Sequence, residues 1–208
     1  MKTKEKIVHA ALTLFSEKGY DAVGVGEIAE TVGIKAPSLY KHYKSKKDIF
    51  YAVLDEMARR YEQQTVSMRI NGLEASADID RFAAISEEQL IEIGRGLFLY
   101  FLQDEYTRKF RKMLTVEQYR NKELAALFTK QYTDDPLEYQ GKLFGLLTQT
   151  GVCKPGDSNI MAIHFYAPIY LLLTLCDRQP EREREALEIL EQHMKQFSRL
   201  YRIGGDFA

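Results

Sequence analysis

The chain has 208 residues, of which 45% are hydrophobic and 28% charged, and its formal net charge is -1. This is enough chain for one large domain or two small ones, and enough apolar side chain for a packed core. The near-neutral total excludes a protein that coats polyanions over its whole surface. The most apolar run, "IMAIHFYAPIYLLLTLC" from Ile160 to Cys176, is interrupted by His164 and Pro168, so no membrane span is expected. "MKTKEKIVHAALTLFSEKGY" carries acidic residues and a late apolar stripe, which argue against a signal peptide. Cys153 and Cys176 are therefore read as reduced thiols in a cytoplasmic protein.

In chain order the periodicity is helical almost throughout, and no stretch reads as a strand. A first helix is expected over Lys4–Lys18, with Ile7, Ala10, Ala11, Leu14 and Phe15 on one face and Gly19 as its stop. A second covers Val25–Val32, where Val25, Ile28, Ala29 and Val32 keep the i, i+3, i+4, i+7 spacing, and Gly33 ends it. A third, short helix covers Pro37–Tyr43, with Pro37 in its first turn, where a missing N–H is harmless. A fourth starts near Lys46 and runs past Tyr61, burying Ile49, Phe50, Val53, Leu54 and Met57.

"NGLEASADID" (Asn71–Asp80) is weakly patterned and reads as a domain junction. Longer helices follow at Ser86–Gln103, Tyr106–Glu117, Glu123–Thr150 with a break near Asp134–Pro136, Asn159–Cys176 and Glu181–Tyr201. "KPGDS" and "DRQP" are turns with helix-start chemistry. The fold class is thus all-α. A three-helix helix-turn-helix domain over 1–46 is joined by a long helix to a larger helical domain over 47–208.

The segment "GIKAPSLYKHYKSKKDIF" (Gly33–Phe50) concentrates charge. Between Lys35 and Lys47 it holds five lysines, two tyrosines and one histidine, and no acidic residue. Two short helices about a glycine turn form a helix-turn-helix, whose second helix enters the DNA major groove. Leu39 should face inward, leaving Ser38, Tyr40, Lys41 and His42 to line the groove and its walls. Lysines attract phosphate and release its counterions, and Tyr40 and His42 can donate to phosphate oxygens. Lys46 opens the next helix, where unpaired N–H groups also favour an anion. A solvated basic surface would carry similar charge, but not this order of amphipathic helix, glycine turn, aromatic-basic helix and lysine-started helix.

Over "IVHAALTLFSEKGYDAVGVGEIAETVGIKAPSLYKHYKSKKDIFYAVLDEM", Ile7–Met57, the sequence resembles the TetR family of transcriptional regulators, and "LYKHYKSKKDIF" is the most specific part of that pattern. The resemblance implies an all-α homodimer that binds a palindromic operator in double-stranded DNA and releases it when a small molecule binds the C-terminal domain. It also implies DNA contacts from Lys35, Ala36, Pro37, Ser38, Tyr40, Lys41, His42 and Lys46. Val23, Gly24 and Gly26 stand where the family often has hydroxyl residues and a basic residue.

No catalytic or metal chemistry stands out. "GVGEIA" matches a dinucleotide-binding glycine pattern, but no strand precedes it. The histidines His9, His42, His164 and His193 form no HExxH pattern, and no nucleophile elbow or P-loop occurs. No metal and no cofactor is expected.

In the larger domain, Leu187, Leu190, Met194, Phe197 and Tyr201 repeat at 3-4-3-4 spacing on the last helix and are expected to form the dimer interface. A second apolar row, Ala186, Ile189, His193 and Leu200, would then face inward, and a four-helix bundle with Asn159–Cys176 would close the dimer. Phe98, Phe101, Phe110, Met113, Phe144 and Phe165 are core candidates, some of which could line a ligand cavity. Arg95, Tyr139, Gln140 and His164 would be its polar contacts, and the aromatic wealth suits an apolar or aromatic effector. The expectation is a cytoplasmic, homodimeric, ligand-responsive repressor and not an enzyme. Its rivals are a small helical enzyme using the aromatic-lined pocket and a helical protein-interaction module.

Overall fold

The computed structural model describes residues 2–202. Among the described residues eleven α-helices run in order: α1 (Thr3–Lys18), α2 (Val25–Val32), α3 (Ala36–Tyr40), α4 (Lys46–Ser67), α5 (Ala75–Ala84), α6 (Glu87–Gln103), α7 (Glu105–Glu117), α8 (Lys122–Thr129), α9 (Asp135–Gln149), α10 (Ser158–Arg178) and α11 (Glu183–Tyr201). Among the described residues the β-type pairing is a single bridge between Cys153 and Arg202. The helices form two compact units. One takes the chain up to Tyr61 together with Asp104–Phe128, and the other takes Glu62–Gln103 and the chain from Thr129 onward.

In the first unit α1 packs against both α2 and α7. That is why its buried stripe is wider than one face: Val8 and Leu12 are buried beside Ile7, Ala10, Ala11, Leu14 and Phe15. By packing, this unit continues past residue 46. It takes in Ile49, Phe50, Val53 and Met57 of α4, with Leu54 half-buried, and all of α7. Asp104 caps α7 by accepting from Thr107 N at 2.9 Å, and it pairs with Arg60 at 3.0 Å. The Arg60 guanidinium lies 3.8 Å from the centre of the Tyr106 ring.

In the second unit α5 occupies the stretch that reads as a junction. Its apolar set is short and interleaved with acids, yet Ala75, Ile79, Phe82 and Ala83 keep helical spacing and pack on the core. A side-chain network starts the helix. Asn71 Oδ1 accepts from the N–H groups of Leu73 and Glu74, and buried Asp78 accepts from Asn71 N (2.6 Å), Gly72 N (2.8 Å) and the Tyr139 hydroxyl (2.6 Å). The expected break at Asp134–Pro136 is a π-helical turn, Lys130–Asp134, that continues directly into α9. Pro136 falls in the first turn of α9 and has no N–H to donate back into the π turn. The Tyr166 hydroxyl donates to the Tyr132 carbonyl of that turn at 3.0 Å.

α9 and α10 approach closely because α9 presents glycine. A Cβ at Gly141 would sit 2.8 Å from Asn159 Oδ1. Phe144, Phe165 and Phe197 then stack with centroid separations of 5.0–5.6 Å, and Tyr201 adds to Phe197 at 4.7 Å. A neighbouring cluster holds Phe98, Leu102, Leu172, Leu173, Cys176, Ala186, Leu190 and Met194.

These clusters correct the expected dimer row. Leu190 and Met194 are each 1% exposed and Phe197 5%, all inside the subunit, with Leu187 and Tyr201 packed at their edges. The 3-4-3-4 stripe is the ordinary inner face of a surface helix, covered by α6 and α10. On these two helices the exposed large apolar side chains are others: Ile189 and Leu200 on α11, and Ile160, Ile163 and Leu171 on α10. By length and composition alone α10 could cross a membrane, but its other side packs on α6, α9 and α11.

Candidate nucleic-acid interface

The turn between α2 and α3 is built by glycine. Gly33 adopts φ 76°, ψ 29°, and its N–H reaches Glu30 O while Ile34 N reaches Ala29 O at 2.9 Å. This pair of bonds is a Schellman closure and needs a left-handed residue at Gly33. Lys35 is the extended residue before α3, and Pro37 lies in the first turn. Leu39, fully buried, anchors α3, while Ile28 and Ala29 are the buried residues of α2. α3 is shorter than expected, ending at Tyr40. The turn beyond it is held by bonds from His42 N and Tyr43 N to Leu39 O.

With Leu39 turned in, the expected contact residues lie at the surface. Lys35, Pro37, Tyr40 and Lys41 are exposed, and Ala36, Ser38 and His42 are half-exposed. Tyr40 is 52% exposed, an unusual placement for a large ring with no partner surface. Neither Lys35 nor Lys41 has an ion pair among the described residues, so their charge is available to an anion. Lys47 pairs instead with Glu123 at 3.0 Å, and this hydrogen-bonded carboxylate holds its pKa above the usual lysine value.

Lys46 is placed differently from a free phosphate ligand. Its Nζ donates to Tyr20 O at 2.9 Å and lies 3.4 Å from Asp21 O, and it sits 4.4 Å from the centre of the Tyr20 ring. Its backbone remains at the first turn of α4, where Ser45 Oγ caps the helix by accepting from Asp48 N at 3.0 Å.

The expected ligand residues do not form one site. Phe110 and Met113, at 1% and 0% exposure, belong to the first unit. In the second unit Phe144 lies in one core cluster and Phe98 in the other, Phe101 packs on the latter, and Phe165 borders both. The Tyr139 hydroxyl is committed to Asp78, and His164 Nδ1 to the Tyr201 hydroxyl. Gln140 Oε1, by contrast, is buried without a hydrogen-bond partner among the described residues, as is Thr148 Oγ1 two turns along α9. Arg95 lines a cleft of about 520 Å³ with Glu181, Glu183, Arg184, Leu187 and Glu188. Its glutamates all fall in "EREREALEILEQ", whose charge is that of a solvated helix face. Among the described residues no three His, Cys, Asp or Glu side chains are grouped to hold a metal ion. Cys153 and Cys176 are both buried, and burial pushes the Cys153 thiol up.

Residues 7–53 match the family model for bacterial regulatory proteins of the tetR family. The biofilm operon icaADBC HTH-type negative transcriptional regulator IcaR of Staphylococcus aureus (strain Newman) is 55% identical over 47 residues, which are 23% of this chain and 25% of that protein. The match therefore spans about a quarter of the relative's length. Over nearly the whole chain the fold is similar to a putative TetR-family transcriptional regulator from Mesorhizobium loti, with a TM-score of 0.70 and 20% identity over 97% of both chains. It is equally similar to SmeT, the repressor of the Stenotrophomonas maltophilia multidrug efflux pump SmeDEF, in its complex with triclosan: TM-score 0.70, 18% identity, 99% of this chain and 94% of that one. Residues 7–53 thus carry the helix-turn-helix segment of the tetR family of bacterial regulatory proteins, set in an all-helical chain whose fold is similar to those of solved TetR-family regulators.

Proposed function

We propose that the chain is a ligand-responsive transcriptional repressor that works in the cytoplasm as a homodimer on a palindromic operator. The observation that carries this reading is α3: five residues anchored by fully buried Leu39, with Lys35, Tyr40 and Lys41 exposed beside it. Residues 1–46 would supply the DNA contacts and 47–208 the ligand and dimer contacts. Lys35, Ala36, Pro37, Ser38, Tyr40, Lys41 and His42 would meet the operator, and Lys46 would do so through its backbone N–H. The dimer would close over the exposed apolar positions of α10 and α11. SmeT's complex with triclosan supports a small apolar or aromatic effector, bound in the second unit near Phe144, Phe165 and the unpaired Gln140 Oε1. Such a ligand acts only by its difference in affinity between two states of the dimer, one of which spaces the α3 pair about 34–36 Å apart.

Lys41 separates reading from positioning. It is the exposed cation at the end of α3, so Lys41→Ala is expected to relax preference at one position of each half-site. A bidentate base contact supplies about 1–3 kcal/mol of discrimination. Competition with single-base operator variants measures this. Equal weakening on every variant would assign Lys41 to phosphate alone, and unchanged binding would remove it from the interface.

A further inference from the structure

The backbone of Tyr20 is held at both its N–H and its carbonyl. On one side its N–H donates to Glu117 Oε1 at 3.0 Å, from the last residue of α7. On the other its carbonyl accepts from Lys46 Nζ at 2.9 Å, from the first residue of α4. The Lys46 ammonium also lies over the Tyr20 ring, which packs on Phe15 and Phe50 at 5.0 and 5.2 Å. The preceding residue lets the carboxylate in: Gly19 has φ 87°, and a Cβ there would stand 2.3 Å from Glu117 Oε1. Glu117 is 3% exposed, and its carbonyl accepts from Arg120 N and Asn121 N, which fixes the end of α7.

A carboxylate is costly to bury and persists where it is hydrogen-bonded. Here it accepts from the turn between α1 and α2, a part of the DNA-binding half, while the carboxylate itself comes from 97 residues further along the chain. We infer that Glu117 is a positioning residue for DNA binding, acting through the Tyr20 peptide and Lys46 to set the α1–α2 turn and the start of α4. α7 thereby holds the elements on either side of α2 and α3 in register. This rests on the DNA-binding reading above. It also gives the Lys46 ammonium a role that needs no direct phosphate contact.

The sign of the effect distinguishes this from simple charge. Removing a carboxylate near a polyanion should tighten binding by relieving repulsion. The clamp requires the reverse. With the full-length chain and the duplex it enriches from a random pool as probe, Glu117→Ala is expected to weaken binding about tenfold, the scale of one charged hydrogen bond. The salt slope should stay unchanged, because Glu117 meets no phosphate. Glu117→Gln keeps an oxygen acceptor and should bind within about twofold of the parent. Hydrogen exchange at the Tyr20 amide should quicken in Glu117→Ala and not in Glu117→Gln. Lys46→Met, which reads the clamp from its other side if Glu117→Ala melts below assay temperature, should weaken binding with an unchanged salt slope. The double variant should be no weaker than the weaker single one. Tighter binding in Glu117→Ala, additive losses, or an unchanged Tyr20 amide would overturn the inference. A parent chain that enriches no duplex would instead sink the DNA-binding reading. Tyr20 exchange would then still report the clamp as a purely structural joint, and its role in DNA binding would fall with that reading.

Discussion

Phe197→Glu is expected to unfold the second unit rather than to split a dimer. Phe197 is 5% exposed, and its ring meets Phe144, Phe165 and Tyr201 at 5.1, 5.0 and 4.7 Å between centroids. Losing the ring alone should cost about 3–5 kcal/mol in transfer and cavity terms. The glutamate must also be desolvated among aromatic rings, or force the helix open to reach water. Domains of this size are stable by only about 5–15 kcal/mol, so the sum leaves little or nothing. Circular dichroism should show lost helix content or a collapsed melting transition, and the protein should aggregate. A soluble variant with the parent's melting temperature would place Phe197 at the surface and revive the last helix's 3-4-3-4 row as an interface.

The second large effect belongs to α10. Leu171 is 64% exposed, and Ile163 and Ile160 follow on the same helix at 45% and 46%. Stepping back through Ala167, these positions recur every three or four residues, so they form one face. An unpaired charge at Leu171 would cost little in the monomer and several kcal/mol in an apolar interface, and two-fold symmetry would place it there twice. Leu171→Glu should therefore give a monomer with the parent's helix content. Operator affinity should fall by about 10²–10⁴, because the second half-site is no longer an intramolecular contact. Sedimentation and operator titration on one preparation check both parts. An unchanged dimer would move the interface off this face, and α11, with Ile189 at 41% and Leu200 at 56% exposure, would be the next to probe.

The helix-turn-helix half was legible because its cues are local. The glycine stop at Gly33, the early Pro37, and the buried spacing of Ile28, Ala29 and Leu39 are all set within a few residues, and each stands where the pattern puts it. What escaped the sequence depends on partners far along the chain. Nothing near Glu117 marks it as the acceptor for Tyr20, and nothing near Lys46 says that its ammonium turns back to two carbonyls. α5 was missed because Asp78, which lowers its apolar pattern, is satisfied by Tyr139 of α9 and by the backbone of Asn71 and Gly72. On α11 periodicity located two apolar rows but could not say how far each is covered within the subunit: Ala186 of the second row is buried with Leu190 and Met194, while Ile189 and Leu200 are exposed. Phe110 and Met113 carried no mark of the unit they would join, because α7 is separated in sequence from the α1 it packs against.

The central claim is that the α3 face reads a two-fold symmetric DNA site. The most direct measurement is selection of duplexes from a random-sequence pool by the full-length chain, followed by titration of the enriched duplex over a range of salt. Palindromes whose half-site centres are about 10 base pairs apart are expected, with binding that falls linearly in log–log form with salt. Failure to enrich any sequence, or enrichment of sites without two-fold symmetry, would contradict it.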